Sequence, residues 1–201
     1  MAKDERIEGI LKFWFEAPGS DEDRPVGMEL WRGDDPRVDR LIETRFGELV
    51  KQANAGELDA WGATPRGRLA LILLLDQFNR NLHRNTPEAF TGDEKALALC
   101  FDGLDDEMDK KLSALERAFF YMPCMHAEDT DAQLASVEVY AELAEQAPPD
   151  AKKTCVTFLE LANTRRDIVE RFERFPQRNG ILGRSSSPEE SAFLQHSGTL
   201  I

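Results

Sequence analysis

Apolar side chains recur every three to four residues along most of this chain, which is the spacing of helices that bury one face. The segments 7–15 and 38–50 follow this spacing closely. The wholly apolar run 69–75 is compatible with a buried strand by periodicity alone, but the start signal Thr64-Pro65 and the length of the segment favour a buried helix to about Arg80. The pattern therefore predicts an all-α fold.

Signals for helix starts occur throughout the chain. A proline follows Asp35, as is common at the first helical position. Capping boxes, a Ser or Thr with Glu or Gln three residues later, are predicted at Thr91–Glu94, Ser113–Glu116, Thr130–Gln133 and Ser187–Glu190. Long helices are predicted near 131–146 and 150–173, and a short one after Pro188. We expect a single domain over residues 1–201 in which helices pack as antiparallel pairs.

Composition limits the classes of function. The 201 residues carry a formal charge of -13, which disfavours binding to nucleic acid or to an anionic membrane. Three cysteines without a C-x-x-C pair argue against a disulfide framework and against a zinc site. The charged N-terminus lacks a signal core, so we expect a cytoplasmic protein. We expect no cofactor and no metal, and a homodimer is left open.

Three segments place polar residues where a helical protein should place its core: 76–81, 122–129 and 165–184. In the first, Asp76 ends an apolar helix and precedes Arg80 by four residues, which predicts a buried ion pair. Either this pair is structural or it serves a ligand. The same ambiguity applies to Asn79, Asn81 and Arg84, which also suit a helix end.

Arginines dominate the third segment. The apolar stripe of helix 150–173 continues into Arg165 and Arg166, so at least one guanidinium points toward the core and needs a carboxylate or an anionic ligand. Six arginines and three acids between residues 165 and 184 give this segment a positive charge within an acidic chain. Either the segment is an anion-binding surface, with Arg178, Asn179 and Arg184 among its members, or its arginines neutralise the protein's own excess acid.

His126 is the best candidate for proton transfer. Glu128 and Asp129 stand close to it in sequence, and a carboxylate can orient a neutral imidazole. Nucleophile elbows, phosphate-binding loops and dinucleotide fingerprints are absent from the sequence.

Taken in order, these motifs resemble the bacterial "domain of unknown function 924" family. The resemblance rests on Leu11–Phe15, Leu75–Asn81 with Arg84, Phe120–Asp129 with Gln133, and Arg174–Asn179 through Leu182–Arg184 to Glu190. It implies an all-helical fold with tetratricopeptide-like packing and a shared pocket, without a reaction. Positions that match the family pattern are Asp76, Gln77, Arg80, Asn81, Arg84, His126, Glu128, Asp129, Gln133, Arg174, Arg178, Asn179 and Arg184.

The chain departs from that family pattern at five positions. It has Asn79 in place of proline, Met125 in place of glutamate, Arg165 and Gln177 in place of histidine, and Glu173 in place of glycine. The loss of two imidazoles and a carboxylate argues against acid–base or metal chemistry in this chain that would be common to the family.

Three hypotheses of function follow. The first is a pocket for a small anionic molecule, lined by the arginines, amides, Asp76 and His126. The second is a tetratricopeptide-like module that binds a protein or peptide in a groove. The third is an enzyme in which His126 carries the proton, Asp129 or Glu128 orients it, and Arg80, Arg178 and Arg184 contact the oxyanion or phosphate.

Overall fold

The structure is a computed structural model that describes residues 4–17, 25, 27–31 and 35–196. Within these ranges the chain forms α-helices and short helical turns, without a β-strand, which confirms the all-α prediction. The α-helices are α1 Glu5–Phe15, α2 Met28–Trp31, α3 Pro36–Asn54, α4 Pro65–Leu73, α5 Asn79–Leu82, α6 Asp93–Asp105, α7 Ala114–Phe120, α8 Met122–His126, α9 Thr130–Gln146, α10 Pro149–Phe172 and α11 Pro188–His196. The 3₁₀ turns are Asp59–Ala63, Pro87–Phe90, Asp109–Lys111 and Pro176–Arg178.

None of the described helices combines the length and the apolar composition that crossing a bilayer requires. The three cysteines are free and buried. The tetratricopeptide-like arrangement and the single domain stay predictions.

Several helix starts follow the sequence signals. The side chains of Asp35 and Thr64 accept hydrogen bonds from the backbone amides of Arg37 and Gly67, and a proline follows each cap. Two of the four predicted capping boxes form, at Ser113–Glu116 and Ser187–Glu190. The predicted long helices are confirmed as α9 and α10; the predicted end of α9 at Gln146 is met, and the other three boundaries differ by one residue.

The other two predicted capping boxes are wrong. Helix α9 is capped by Asp129, whose Oδ1 accepts from the Ala132 amide, because Thr130 is already helical. Helix α6 begins after Gly92 without a side-chain cap. A Cβ added at Gly92 would lie 2.3 Å from the Leu75 carbonyl oxygen, so only glycine lets this helix start approach the central helix so closely.

Helix α4 forms the centre of the protein. Residues 67–73 are all buried, which explains why its sequence shows no polar face. The main core cluster extends from this helix to α1, α3, α6, α7, α9 and α10. The prediction of a buried helix, and not a strand, over the apolar run is therefore confirmed.

The chain continues from α4 into α5 through a π-helical turn, Leu74–Phe78, without a break in the helical backbone. Single π-helical turns are rare and occur frequently at functional sites. All five residues of this turn are buried, and Asp76 is among them.

Helix α10 ends at a residue with a left-handed backbone. Glu173 has φ = 56°, a conformation that favours glycine at the end of a helix. The glycine that the family pattern has at this position fits this geometry. Around this helix end, Ile168, Val169 and Phe175 form a small second core cluster, against which Phe172 and Phe193 pack.

Candidate functional site

The site centres on the carboxylate of Asp76, which is 1% exposed. Its Oδ1 accepts from Arg80 Nε at 2.8 Å, and its Oδ2 accepts from Gln77 Nε2 at 2.6 Å. His126 Nδ1 lies 2.8 Å from Oδ1 and 3.0 Å from Oδ2. Burial alone would raise the pKa of Asp76, but the contacts with His126, Arg80 and Gln77 lower it below its ordinary value. The predicted Asp76–Arg80 pair is confirmed, and the carboxylate is ionised.

The imidazole of His126 is neutral and has one defined tautomer. Burial, followed by the charge of Arg80, lowers its pKa to about 3 against the opposing effect of Asp76. Because an ionised carboxylate only accepts hydrogen bonds, the proton of a neutral imidazole must sit on Nδ1. The geometry therefore leaves Nε2 as a hydrogen-bond and proton acceptor.

The backbone around His126 is held by two side chains. Gln133 Nε2 lies 2.7 to 3.3 Å from the carbonyl oxygens of Cys124, Met125 and Ala127, and so satisfies the C-terminal carbonyls of α8. Arg178 Nη2 donates to the His126 carbonyl oxygen at 2.9 Å. These contacts fix the end of α8, and with it the position of the imidazole.

Asp93 joins two arginines at this site. Arg80 Nη2 donates to Asp93 at 2.8 and 2.9 Å, and Arg178 Nη1 lies 3.9 Å from the same carboxylate. Burial raises the pKa of Asp93 to about 6, with a further increase from the charge of Asp76, while both arginines oppose the shift. The close approach at Gly92 places Asp93 here.

Arg165 differs from its neighbours. Its guanidinium lies 5.7 Å from the ring centre of Phe175, but it forms no ion pair or hydrogen bond with the part of the chain that the structure describes. Burial, together with the charge of Arg80, lowers its pKa to about 10, so the group is still charged at pH 7. The prediction that Arg165 or Arg166 points inward is confirmed for Arg165. Arg166 instead pairs with the exposed Asp167.

Two adjoining cavities open at this cluster, with Arg80, Arg84, His126 and Arg165 in the walls of both. The first has a volume of about 440 Å³ and also contacts Phe90, Gln177 and Arg178. We call it the polar cavity. The second has a volume of about 370 Å³, and we call it the apolar cavity. Its remaining wall is formed by Met28, Trp31, Gln77, Asn81, Met122, Met125, Thr157, Phe158 and Leu161.

The two carboxylates expected to orient His126 have other partners. Glu128 accepts from Arg184 at 2.5 and 2.9 Å and from the Phe175 amide at 2.8 Å, and Asp129 caps α9. The prediction that Asp129 or Glu128 orients His126 is therefore wrong. The carboxylate beside the imidazole is Asp76, from a different helix.

Glu128 belongs to a closed set of polar contacts that holds the C-terminal segment. Arg184 Nε also donates to Asn179 Oδ1 at 3.1 Å, and Arg174 donates to both oxygens of Glu190 at 2.7 and 2.9 Å. We call Glu128, Arg174, Asn179, Arg184 and Glu190 the C-terminal clamp. Neither Asn179 nor Arg184 contributes to the walls of the two cavities, so the predicted ligand-binding role of these two residues has no geometric support.

Of the predicted ligand-binding residues, those in the cavity walls are Gln77, Arg80, Asn81, Arg84, Arg165 and Arg178. Sequence reasoning missed Asp39, Asp93 and the aromatic residues Phe90 and Phe175. Asp39 accepts from Arg84 and Asn81, and its only sequence signal was its place in the first turn of α3. Asp93 lies within the predicted capping box Thr91–Glu94, which does not form.

A larger cavity, of about 580 Å³, lies between α3 and α5. Its wall holds four carboxylates, Asp39, Glu43, Glu48 and Glu88, against Arg40 and Lys51. This balance disfavours an anion, so we place the candidate site at the two smaller cavities. The described residues contain no cluster of three potential metal ligands.

The structure thus defines an all-helical protein with a buried Asp–His–Arg cluster beside two cavities. The chain belongs to the family described as bacterial protein of unknown function (DUF924), whose sequence model matches residues 10–198. The solved structure of ATU0120 from Agrobacterium tumefaciens, a protein of unknown function, is similar to it, with 35% sequence identity and a TM-score of 0.78. The match covers 94% of this chain and 96% of that chain. No curated protein matches.

Proposed function

We propose that this protein binds a small anionic molecule in the polar cavity. The observation that carries the proposal is Arg165, a partly buried guanidinium in the cavity wall without an ion pair among the described residues. A charge removed from water needs a counter-charge, and a bound anion supplies one.

The charges around the cavity support this proposal. Arg80 pairs with Asp76 and Asp93, Arg84 pairs with Asp39, and the carboxylate nearest to Arg178 is the same Asp93. Four guanidinium groups, including Arg165, thus face three carboxylates. The excess is one positive charge, in a chain with a formal charge of -13.

The aromatic residues hold the arginines in place. Arg165 and Arg178 both stack on Phe175, at 5.7 and 4.6 Å, and Arg178 also stacks on Phe90 at 4.8 Å. Fixed guanidinium groups lose little freedom when they bind an anion. Gln177 lies in the same wall, and its amide group could donate a further hydrogen bond to the anion.

Substitution of two adjacent arginines on α10 tests the proposal. Arg165→Gln removes the charge at the cavity, whereas Arg166→Gln removes an equal charge that is outside the cavity walls and paired with Asp167. We expect acetate, methanesulfonate or inorganic phosphate to raise the melting temperature above that in sodium chloride of equal ionic strength. The increase should be lost in Arg165→Gln and kept in Arg166→Gln. Equal increases in all three proteins would contradict the proposal.

A second candidate function is proton transfer by His126, with Asp76 as the residue that orients it. The observation that favours it is the contact between Asp76 and Nδ1, which leaves Nε2 as the acceptor beside the cavities. Nitrogen-15 chemical shifts of the imidazole should report a neutral ring with the proton on Nδ1 between pH 5 and 8. A proton on Nε2 would rule out this role.

The interaction-module hypothesis has less support. The exposed large apolar residues of the described chain are Leu134, Val156 and Leu194, and they lie on three different helices. Scattered apolar residues of this kind are normal on soluble protein surfaces and do not indicate a peptide groove.

A further inference from the structure

The apolar cavity indicates what the uncharged part of the ligand is. It shares Arg80, Arg84, His126 and Arg165 with the polar cavity, so a molecule bound at Arg165 has access to both spaces. Both volumes, about 440 and 370 Å³, lie within the range of roughly 300–1,000 Å³ that is typical of small-molecule sites.

The wall of the apolar cavity is suited to a hydrocarbon group. Its apolar side chains come from the three helices α2, α8 and α10 and are Met28, Trp31, Met122, Met125, Phe158 and Leu161. Three of the six are methionines, whose unbranched side chains adapt to ligands of irregular shape. Filling this space with an apolar group would remove apolar surface from water on both sides.

The excess of one positive charge indicates how many negative charges the ligand carries. One positive charge, that of Arg165, remains after the other three arginines are matched with Asp39, Asp76 and Asp93. A carboxylate carries one negative charge, whereas a phosphate monoester carries about 1.5 to 2 at pH 7. A second negative charge on the ligand would lie next to three carboxylates without a cation to match it.

We infer that the ligand is a small amphipathic monocarboxylate, with its carboxylate at Arg165 and its hydrocarbon group in the apolar cavity. This inference rests on the proposed function, because it assigns the anion-binding role to the same arginine. It adds the chemical class of the molecule, which anion binding alone does not specify.

A series of straight-chain carboxylates tests the inference. Isothermal titration with acetate, butanoate, hexanoate and octanoate should show binding that tightens by about threefold for each added methylene up to the length that the cavity holds. Hexan-1-ol, which has the tail without the charge, should bind at least about tenfold more weakly than hexanoate. Hexyl phosphate should also bind more weakly, because its second charge is unmatched.

Two substitutions on α10 provide a matched pair of variants. Leu161→Gln places a polar group in the apolar cavity, and Val156→Gln makes the same kind of change at a position that is 37% exposed and outside the cavity walls. We expect Leu161→Gln to weaken hexanoate binding by about tenfold while acetate binding is unchanged. Val156→Gln should leave both unchanged. Melting curves of the two variants verify that they are folded.

The outcomes separate the two proposals. If small anions bind through Arg165 but chain length has no effect, or if hexan-1-ol or hexyl phosphate binds as tightly as hexanoate, this inference is wrong and anion binding stands. If neither acetate, methanesulfonate nor phosphate depends on Arg165, and hexanoate does not either, both proposals are wrong.

Discussion

The cavity cluster and the C-terminal clamp are built from the same kinds of residue but differ in how their charges are matched. In the clamp, Glu128 pairs with Arg184 and Glu190 pairs with Arg174, so that each charge has a direct partner. In the cavity cluster, Arg165 has no ion pair within the described chain. An arginine-rich segment therefore does not identify a binding site by itself. The informative arginine is the one that the fold leaves unmatched.

The largest expected effect is at Asp76, on the cavity side of this comparison. Asp76→Ala should lower the free energy of unfolding by about 3 kcal/mol or more, because it removes the buried acceptor of Gln77 and His126 and leaves the Arg80 charge with Asp93 alone. Urea denaturation measures this loss. Asp102→Ala, at an exposed position of α6, should change it by less than about 0.5 kcal/mol. Equal stability of wild type and Asp76→Ala would mean that the carboxylate is solvated.

The next effect is at Glu128, in the clamp. Glu128→Gln keeps an acceptor for the Phe175 amide but loses the ion pair with Arg184, so it should cost about 1 to 2 kcal/mol. Glu138→Gln, at an exposed position of α9, is the control.

The same variant predicts a pH dependence. Burial opposes the shift, but the hydrogen bonds from Arg184 and the Phe175 amide hold the pKa of Glu128 below its ordinary value. A lowered pKa in the folded state stabilises the fold at neutral pH, and this contribution is lost as the pH falls through the folded value. The difference in stability between wild type and Glu128→Gln should therefore decrease below about pH 4. A difference that grows on acidification would contradict this assignment.

A smaller effect on stability separates the two kinds of arginine. Arg165→Gln removes a partly buried charge without breaking an ion pair, so stability should be unchanged or higher by up to about 1 kcal/mol. Arg184→Gln should instead be destabilising, because it leaves Glu128 without its partner. Chemical denaturation measures both variants. An equal loss of stability in Arg165→Gln and Arg184→Gln would contradict this distinction.

The smallest expected effect is a pH dependence of anion binding. Asp93 has a pKa of about 6, raised by burial, and its carboxylate faces Arg80 and Arg178, with Asp76 nearby. Protonation below pH 6 removes one negative charge from the cluster, so binding of methanesulfonate should tighten by about threefold between pH 7.5 and 5.5. Methanesulfonate stays ionised throughout this range. Titration calorimetry should show that Asp93→Asn binds independently of pH; an unchanged dependence would assign it to another group.

Sequence reasoning found the parts of the site that depend on one helix. The Asp76–Arg80 pair follows from i, i+4 spacing, and the inward direction of Arg165 follows from the apolar stripe of α10. It could not find contacts that depend on tertiary packing. His126 meets Asp76 across 50 residues of sequence, and Arg184 meets Glu128 across 56. Glu128 and Asp129 are the acids nearest to His126 in sequence, but in the fold Glu128 binds Arg184 and Asp129 caps α9.

Two other errors have the same cause. Gln133 has the spacing of a capping box with Thr130, but its amide instead contacts carbonyls at the end of α8. Gly92 replaces Thr91 as the residue before α6, because the central helix lies too close for a side chain there. Local signals describe what a segment does in isolation, and close contact with a neighbouring helix overrides them.

The π-helical turn at Leu74–Phe78 sets the rotational phase of everything that follows it on the central helix. A π-helical turn closes its hydrogen bond over five residues, as the Asn79 amide does here to the Leu74 carbonyl oxygen, whereas an α-helical turn closes it over four. Deleting one residue within Leu74–Phe78 would therefore let the turn close as an α-helix, with Arg80 kept close to its present direction. The same deletion within α4 would turn α5 by about 100° and move Arg80 away from Asp93. In a relative of this protein, a one-residue gap at this turn would consequently disturb the site less than a gap elsewhere in the central helix.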